Sequence, residues 1–264
     1  MITGKVYLVG AGPGDPELLT LKAVRLLRTA DAVLHDELVG PAILQLANPA
    51  AQLHNVGKRC GVKNISQEEI NFLMAGLASG GLQVVRLKGG DPSIFGRAGE
   101  EIAALRRAGI PYEIVPGVTA GLGAAAGAGI PLTHRRGPAA VVLVTGHRAA
   151  NNEGCDWQTF VGSGATLVVY MPGRNLGEIT RRLRNAGLSG ETPCAVVSRA
   201  TTAEQQLHVT TVNELPAAPR LAAPSLLIVG EVVRMAAAQG EGVMAPAIEE
   251  ALLQATELNQ RLEI

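Results

Sequence analysis

Leu87-Lys88-Gly89-Gly90-Asp91-Pro92-Ser93-Ile94-Phe95-Gly96-Arg97 follows directly on the apolar run Val84-Val85-Arg86. A strand that stops in two glycines, an aspartate and a proline stops at a ligand. Glycine lets backbone approach a bound molecule, and a carboxylate stands where the chain turns. The pattern recurs near the start, where Val6-Tyr7-Leu8-Val9 runs into Gly10-Ala11-Gly12-Pro13-Gly14-Asp15. Two Gly-Asp strand ends in one chain predict a single site assembled from several loops.

The strand ends sit within a wider alternation. Strand patterns at 6–9, 32–35, 53–56, 84–87 and 112–115 are separated by segments with apolar residues at helical spacing. Ile70, Leu73, Met74 and Leu77 are the clearest of these, and Ser66 with Glu69 reads as a capping box before them. Strand–helix alternation implies a parallel sheet covered by helices, with the ligand at the carboxyl ends of its strands. Residues 116–137 turn Gly/Ala-rich, with Pro116-Gly117-Val118-Thr119-Ala120 opening a small-residue helix. A second alternating unit follows, with strands at 141–145, 166–170, 195–198, 207–211 and 226–229 and a helix at 176–186 that turns Ile179 and Leu183 inward. The expected organisation is an N-terminal α/β domain (1–134), a C-terminal α/β domain (135–240) and a helical tail (241–264). In the tail Ile248, Ala251, Leu252, Ala255 and Leu262 repeat at helical spacing.

Composition narrows the partners. The chain has 264 residues, 47% apolar and 3% aromatic, enough for two modest α/β domains or one large one. Its formal net charge is zero, which favours neither nucleic acid nor an anionic membrane. Cys60, Cys155 and Cys194 form no CxxC, so a disulfide scaffold or thiolate metal site is not expected and a reducing cytosol fits. His35, His54, His134, His147 and His208 share no ligand spacing, so no metal is expected. No apolar run is long enough to span a bilayer, and no signal peptide is legible. The expected compartment is the cytoplasm.

The first glycine loop invites a dinucleotide-binding reading and fails it. The third glycine of GxGxxG would fall at Asp15, and Pro13 lacks an N–H that would cradle a pyrophosphate. Such a loop suits a ligand without pyrophosphate.

Taken together, 9–15, 86–97 and 115–120 resemble the tetrapyrrole-type (class III) S-adenosylmethionine methyltransferases. Further segments sharpen the likeness toward the uroporphyrinogen-III C-methyltransferases. These are Asp36-Glu37-Leu38-Val39, Gly57-Lys58-Arg59-Cys60-Gly61, Gln67-Glu68-Glu69-Ile70-Asn71, Phe95-Gly96-Arg97-Ala98-Gly99-Glu100-Glu101 and Pro131-Leu132-Thr133-His134-Arg135. The resemblance spans roughly residues 5 to 233, with the motifs in order and in spacing. It implies two α/β/α domains with an interdomain cofactor cleft, the tetrapyrrole methylase fold. It also implies a homodimer that carries S-adenosylmethionine to uroporphyrinogen III, methylating C2 and C7 to give precorrin-2 through precorrin-1 and releasing S-adenosylhomocysteine.

By the same resemblance, Pro13, Gly89, Gly90, Asp91, Ile94, Thr119, Ala120, Met171 and Ala200 match cofactor-binding positions. Ala200 stands where glycine is common, and Ser93-Ile94 and Ala98 also depart from the family pattern. Asp36 and Lys58 match the acid–base positions. A porphyrinogen pyrrole carbon is already electron-rich, so in-line placement is the main task. Asp36 would then take up the proton lost afterwards or stabilise the positive macrocycle. Lys58 would share that work or hold a substrate carboxylate. The substrate is a polycarboxylate, which points to Arg59, Arg97, Arg135 and Arg136, since the guanidinium fork suits carboxylates. Arg97 equally suits an anchor to Glu100 or Glu101, Arg148 is as readily a solvated arginine, and His134 is read as a packing residue before a substrate contact.

Other readings remain beside this one. A methyltransferase for another precorrin or cobalt-precorrin would share the glycine loops but lack the combination of 57–61 with 95–101. A regulatory module would keep the cleft but have no use for Asp36 and Lys58. An NAD enzyme is disfavoured by Pro13 and Asp15.

Overall fold

The structure, a computed structural model, describes residues 3–57, 65–146, 156–173 and 175–236. Lys58, Arg59, Cys60, His147, Arg148, Cys155 and the expected tail at 241–264 lie outside the described residues.

The first half runs β1 (Lys5–Gly10), α1 (Leu21–Thr29), β2 (Ala32–His35), α2 (Pro41–Leu44), β3 (Gln52–Asn55), α3 (Gln67–Ser79), β4 (Gln83–Lys88), α4 (Ala98–Arg107), β5 (Tyr112–Val115) and α5 (Ala120–Gly127). Its strands pair all-parallel in the order β3-β2-β4-β1-β5. Alternate residues of each strand feed two cores. Val33, Val85 and Leu87 pack with α1 and α2, while Leu8, Leu34 and Val84 pack with α3 and α4. α3 starts where the capping box predicts. The Ser66 N–H donates to Glu69 Oε2 over 2.7 Å, and the Glu69 N–H donates to Ser66 Oγ over 3.1 Å.

The second half runs β6 (Val141–Thr145), α6 (Trp157–Gly162), β7 (Thr166–Tyr170), α7 (Leu176–Asn185), β8 (Pro193–Ser198), β9 (Gln206–Thr211) and β10 (Ser225–Val229). The expected parallel alternation fails here. The order is β6-β7-β10-β8-β9; only β6 and β7 pair in parallel, and the remaining pairs are antiparallel. A parallel return needs a crossover, usually a helix. Residues 199–205 are too few to supply one, so β8 and β9 form a hairpin. β10 then enters between β7 and β8 with its N-terminal end beside their C-terminal ends.

The two sheets share α5. This helix follows the last strand of the first sheet, yet Ala124, Ala125 and Ala128 pack on Val168, Ala195, Val197 and Ile228 of the second. Its small residues let it lie close. A Cβ on Gly121 would fall 2.5 Å from the Tyr170 hydroxyl, and one on Gly123 would fall 2.6 Å from the Pro13 ring. α6 and α7 cover the opposite face through Trp157, Phe160, Ile179 and Leu183.

The carboxyl ends of β1, β4 and β5 converge tightly. A Cβ on Gly10 would sit 2.6 Å from Gly117 Cα, and one on Gly117 would sit 2.5 Å from the Gly90 carbonyl oxygen. Backbone cannot yield as a flexible side chain can. Gly117→Ala should therefore lower stability by about 1–3 kcal/mol. Gly76→Ala, within α3 and facing open space, should raise it by about 1 kcal/mol. Urea denaturation checks the pair; equal shifts for both variants would contradict the packing described.

Candidate active site

One cavity of about 320 Å³ opens where the three glycine loops face the second sheet. The first sheet supplies Gly12, Pro13, Gly89, Gly90 and Asp91 from two strand ends, and Thr119 and Ala120 from the start of α5. The second supplies Tyr170 and Met171 from the end of β7, Val197 and Ala200 around the end of β8, and Pro224, Ser225 and Leu226 from the entry of β10. All nine residues expected to touch a cofactor, Ile94 among them, thus line a single cavity, with Asp36 and Arg97.

The loops are fastened through their backbones. The Gly12 N–H donates to the Gly90 carbonyl over 3.1 Å, and the Gly90 N–H returns to the Gly12 carbonyl over 2.7 Å. Asp91 is used twice: Oδ1 accepts the Ser93 N–H at 2.8 Å, and Oδ2 accepts the Gly117 N–H at 3.0 Å. This aspartate therefore joins the β4 loop to the β5 loop. Asp36 likewise closes its own turn, accepting the Leu38 N–H at 3.0 Å.

Tyr170 ties in the second sheet. Its buried hydroxyl lies 2.7 Å from Thr119 Oγ1 and accepts the Gly121 N–H at 2.8 Å. Thr119 stands at the N-cap of α5, but its side chain makes no cap bond. The phenol from across the cavity takes that place. The Phe95 ring packs on Tyr170 with centroids 5.0 Å apart. A second tie runs from the Asp15 N–H to Thr201 Oγ1 over 3.1 Å.

Backbone strain gathers at the same rim. Among the described residues, the non-glycine residues with positive φ are Phe95 (51°), Arg97 (56°), Met171 (49°), Arg199 (45°) and Thr201 (65°). The first three line the cavity, and the last two flank Ala200, which also lines it. Such conformations persist where surrounding structure enforces them, commonly at ligand sites.

The cavity has a second, polar part, lined by Asp36, Gln67, Arg86, Lys88 and Arg97. Arg86, Lys88 and Glu101 are buried. Glu101 accepts from Arg86 Nε at 2.9 Å and from Lys88 Nζ at 3.0 Å. Burial, followed by the neighbouring Arg86 charge, pushes the Lys88 ammonium below the ordinary lysine range. Arg97 pairs with Glu100 through two bonds of 2.6 and 2.7 Å. This is the anchoring role open to it from sequence, and the guanidinium still borders the cavity.

Arg135 and Arg136 are exposed and do not line the cavity. His134 is exposed too, against the packing role expected for it, and its Nδ1 accepts the Arg136 N–H at 3.2 Å within the turn. Burial pushes the Cys194 thiol up to about 12, which leaves it inert. Among the described residues no group of His, Cys, Asp and Glu could hold a metal ion, and no helix is long and apolar enough to cross a membrane.

The sequence patterns missed the Tyr170 phenol, the buried Arg86–Glu101–Lys88 group and the β10 entry. Arg86 and Lys88 offered a signal, since two cations at alternate positions of an otherwise apolar strand must face one polar partner.

Residues 5–216 match the family model of the Tetrapyrrole (Corrin/Porphyrin) Methylases. The chain belongs to this family. Its fold is that of solved family members. The uroporphyrin-III C-methyl transferase from Thermus thermophilus, complexed with S-adenyl homocysteine, superposes with a TM-score of 0.77 at 43% identity, covering 88% of this chain and 99% of that one. A cobalt precorrin-4 methyltransferase superposes with a TM-score of 0.77 at 30% identity, covering 87% of this chain and 95% of its own. Among curated proteins, the siroheme synthases of Pseudomonas paraeruginosa and Azotobacter vinelandii are 50% and 51% identical over 238 and 235 residues. Those stretches are 89% and 88% of this chain but 51% of each relative, so the chain spans about half the length of the curated relatives it matches.

Within this tetrapyrrole methylase, Tyr170→Phe removes the hydroxyl that both Thr119 and the Gly121 N–H use. The expected loss is about 1–3 kcal/mol, as for a buried donor left without a partner. Faster hydrogen exchange at the start of α5 should accompany it. An unchanged exchange rate there would show that the phenol does not hold the helix.

Proposed function

We propose that this chain is an S-adenosylmethionine-dependent C-methyltransferase that converts uroporphyrinogen III to precorrin-2, by way of precorrin-1 and with methyl groups added at C2 and C7. The observation that carries the reading is one cavity with two unlike parts. One is a backbone-lined slot between the sheets, and the other is a polar recess bordered by Asp36, Arg86, Lys88 and Arg97.

The slot fits the methyl donor. Gly12 and Gly90 offer it bare backbone on one side, and Ile94, Val197 and Leu226 make it apolar. Pro13 removes a backbone donor that a phosphate would want, which suits a cofactor without one. Pro13, Gly89, Gly90, Ile94, Thr119, Ala120, Met171 and Ala200 would hold the cofactor, with Asp91 acting through the loops it joins. When bound, S-adenosylmethionine supplies an electrophilic methyl on a sulfonium.

The chain's own contribution is mostly placement. Loops fixed by backbone bonds hold the reacting centres in line without reorganisation. The reacting macrocycle gains positive charge and must release a proton. Asp36 borders the recess at the end of β2 and is free to accept that proton or to stabilise the charge. Lys58 and Arg59, which lie outside the described residues, complete the acid–base and carboxylate-binding roles in this reading, and Arg97 offers its charge to a substrate carboxylate. Arg135 and Arg136 would take part only where the substrate extends past the cavity. The same reading takes a second copy of the chain as partner and the cytosol as compartment.

Anaerobic incubation with S-adenosylmethionine and uroporphyrinogen III should give a product heavier by two methyl groups. A protein that leaves this acceptor unmethylated but modifies a later corrin intermediate would move the reading to another member of the family. Asp36→Asn should lower kcat by about 10²-fold or more, while S-adenosylhomocysteine affinity by calorimetry stays within a few-fold. Equal loss of both would make Asp36 structural.

A further inference from the structure

Beside the recess two buried cations, Arg86 and Lys88, share a single carboxylate in contact with them. Arg86 and Lys88 leave β4 on the same face, and both are about 95% buried. Among the described residues Glu101 is the one carboxylate within ion-pair distance of either. Glu101 is itself fully used. Its Oε1 accepts from Arg86 Nε at 2.9 Å, from Lys88 Nζ at 3.0 Å and from Gln67 Nε2 at 3.4 Å, and its Oε2 accepts from Lys88 at 3.0 Å.

The cations are not used up. Both bonds of Lys88 Nζ go to this one carboxylate, so among the described residues its third N–H has no acceptor. Arg86 Nη1 reaches the Leu34 and Leu87 carbonyls at 3.4 and 3.2 Å, and no bond of Nη2 occurs among the described residues. The other charged groups facing Lys88 are Asp36 and the Glu100 carboxylate. Asp36, one position past the His35–Leu87 pair of β2 and β4, acts on Lys88 without ion-pair contact, and Glu100 is held by Arg97. Two desolvated cations sharing one carboxylate are costly to bury. In a chain of zero formal net charge, both border the cavity proposed to receive a polyanion.

We propose that Lys88 and Arg86, held in place by Glu101, form a receptor for one ligand carboxylate: a side-arm carboxylate of the tetrapyrrole, or the amino-acid carboxylate of the methyl donor. An arriving carboxylate takes the spare Lys88 N–H and the free edge of the Arg86 guanidinium, and gives the two cations a second carboxylate in contact. Gly96 leaves room above the lysine, where a Cβ would meet Lys88 Cε at 3.1 Å. The choice of ligand rests on the methyltransferase reading; the receptor rests on the spare donors of two buried cations.

The test uses the wild-type chain, Lys88→Met and Lys88→Arg. Methionine keeps the length of the side chain and leaves Arg86 paired with Glu101, so the fold should persist, as a thermal melt will show. Uroporphyrin III, the stable oxidised macrocycle, reports binding without turnover through its fluorescence, and S-adenosylhomocysteine is titrated by calorimetry. Lys88→Met should weaken uroporphyrin by about tenfold to a hundredfold, the range for a lost bond to a charged group. Lys88→Arg should recover most of it, with S-adenosylhomocysteine affinity unchanged in both variants. Weakened S-adenosylhomocysteine with unchanged uroporphyrin would uphold the receptor and assign its carboxylate to the cofactor. A lower melting temperature with both affinities unchanged would overturn it and leave a purely structural ion pair. A wild-type chain that binds uroporphyrin through Lys88 yet transfers no methyl group would uphold the receptor and end the methyltransferase reading. A chain that binds neither probe would end both.

Discussion

Where the three loops cross, neither Gly10 nor Gly117 has space for a side chain, because each Cβ would run into the Gly90 carbonyl, and the rest of the site is arranged around that contact. The loops after β1, β4 and β5 pass within van der Waals distance of one another, which fixes their directions on leaving the sheet. Asp91 locks the arrangement by accepting one N–H from its own loop and one from Gly117. The paired bonds between Gly12 and Gly90 do the same for the first loop. Rigid strand ends carry the precision, and the loops inherit it.

The second sheet meets this assembly through few groups, and α5 mediates. Its first residues belong to the cavity wall, its buried Ala124 and Ala125 belong to the second core, and the Tyr170 hydroxyl joins the two roles. A helix of small residues has little packing energy of its own to fix its start. A phenol from the opposite sheet supplies that constraint and also forms part of the cavity.

Much of this was legible in the sequence, for identifiable reasons. The strand patterns at 32–35, 112–115, 141–145 and 166–170 coincide with the observed strands; at 32–35 and 166–170 every residue is buried, and such strands leave an apolar run between turn residues. The glycine loops were legible because only glycine fits where backbones touch. The antiparallel strands of the second sheet were not, because strand patterns carry no direction, and 199–205 contains none of the dipeptides that mark a hairpin. The bonds of Tyr170 join residues about fifty positions apart, a separation that no local pattern reports. The Arg86–Glu101–Lys88 group was half legible, since its charges interrupt a strand that otherwise reads as core. The outward position of Arg135 and Arg136 was hidden because a motif records spacing and not the direction in which a turn presents it.

The strained rim carries a consequence for how such a protein can change. Phe95, Arg97, Met171, Arg199 and Thr201 hold backbone angles that glycine would adopt without strain, at a relief of roughly 1 kcal/mol each before the added freedom of the unfolded chain is counted. That added freedom cancels most of the relief. Selection for heat resistance alone therefore gains little by turning these positions to glycine, and the side chains that wall the space between the sheets persist at small cost to the fold.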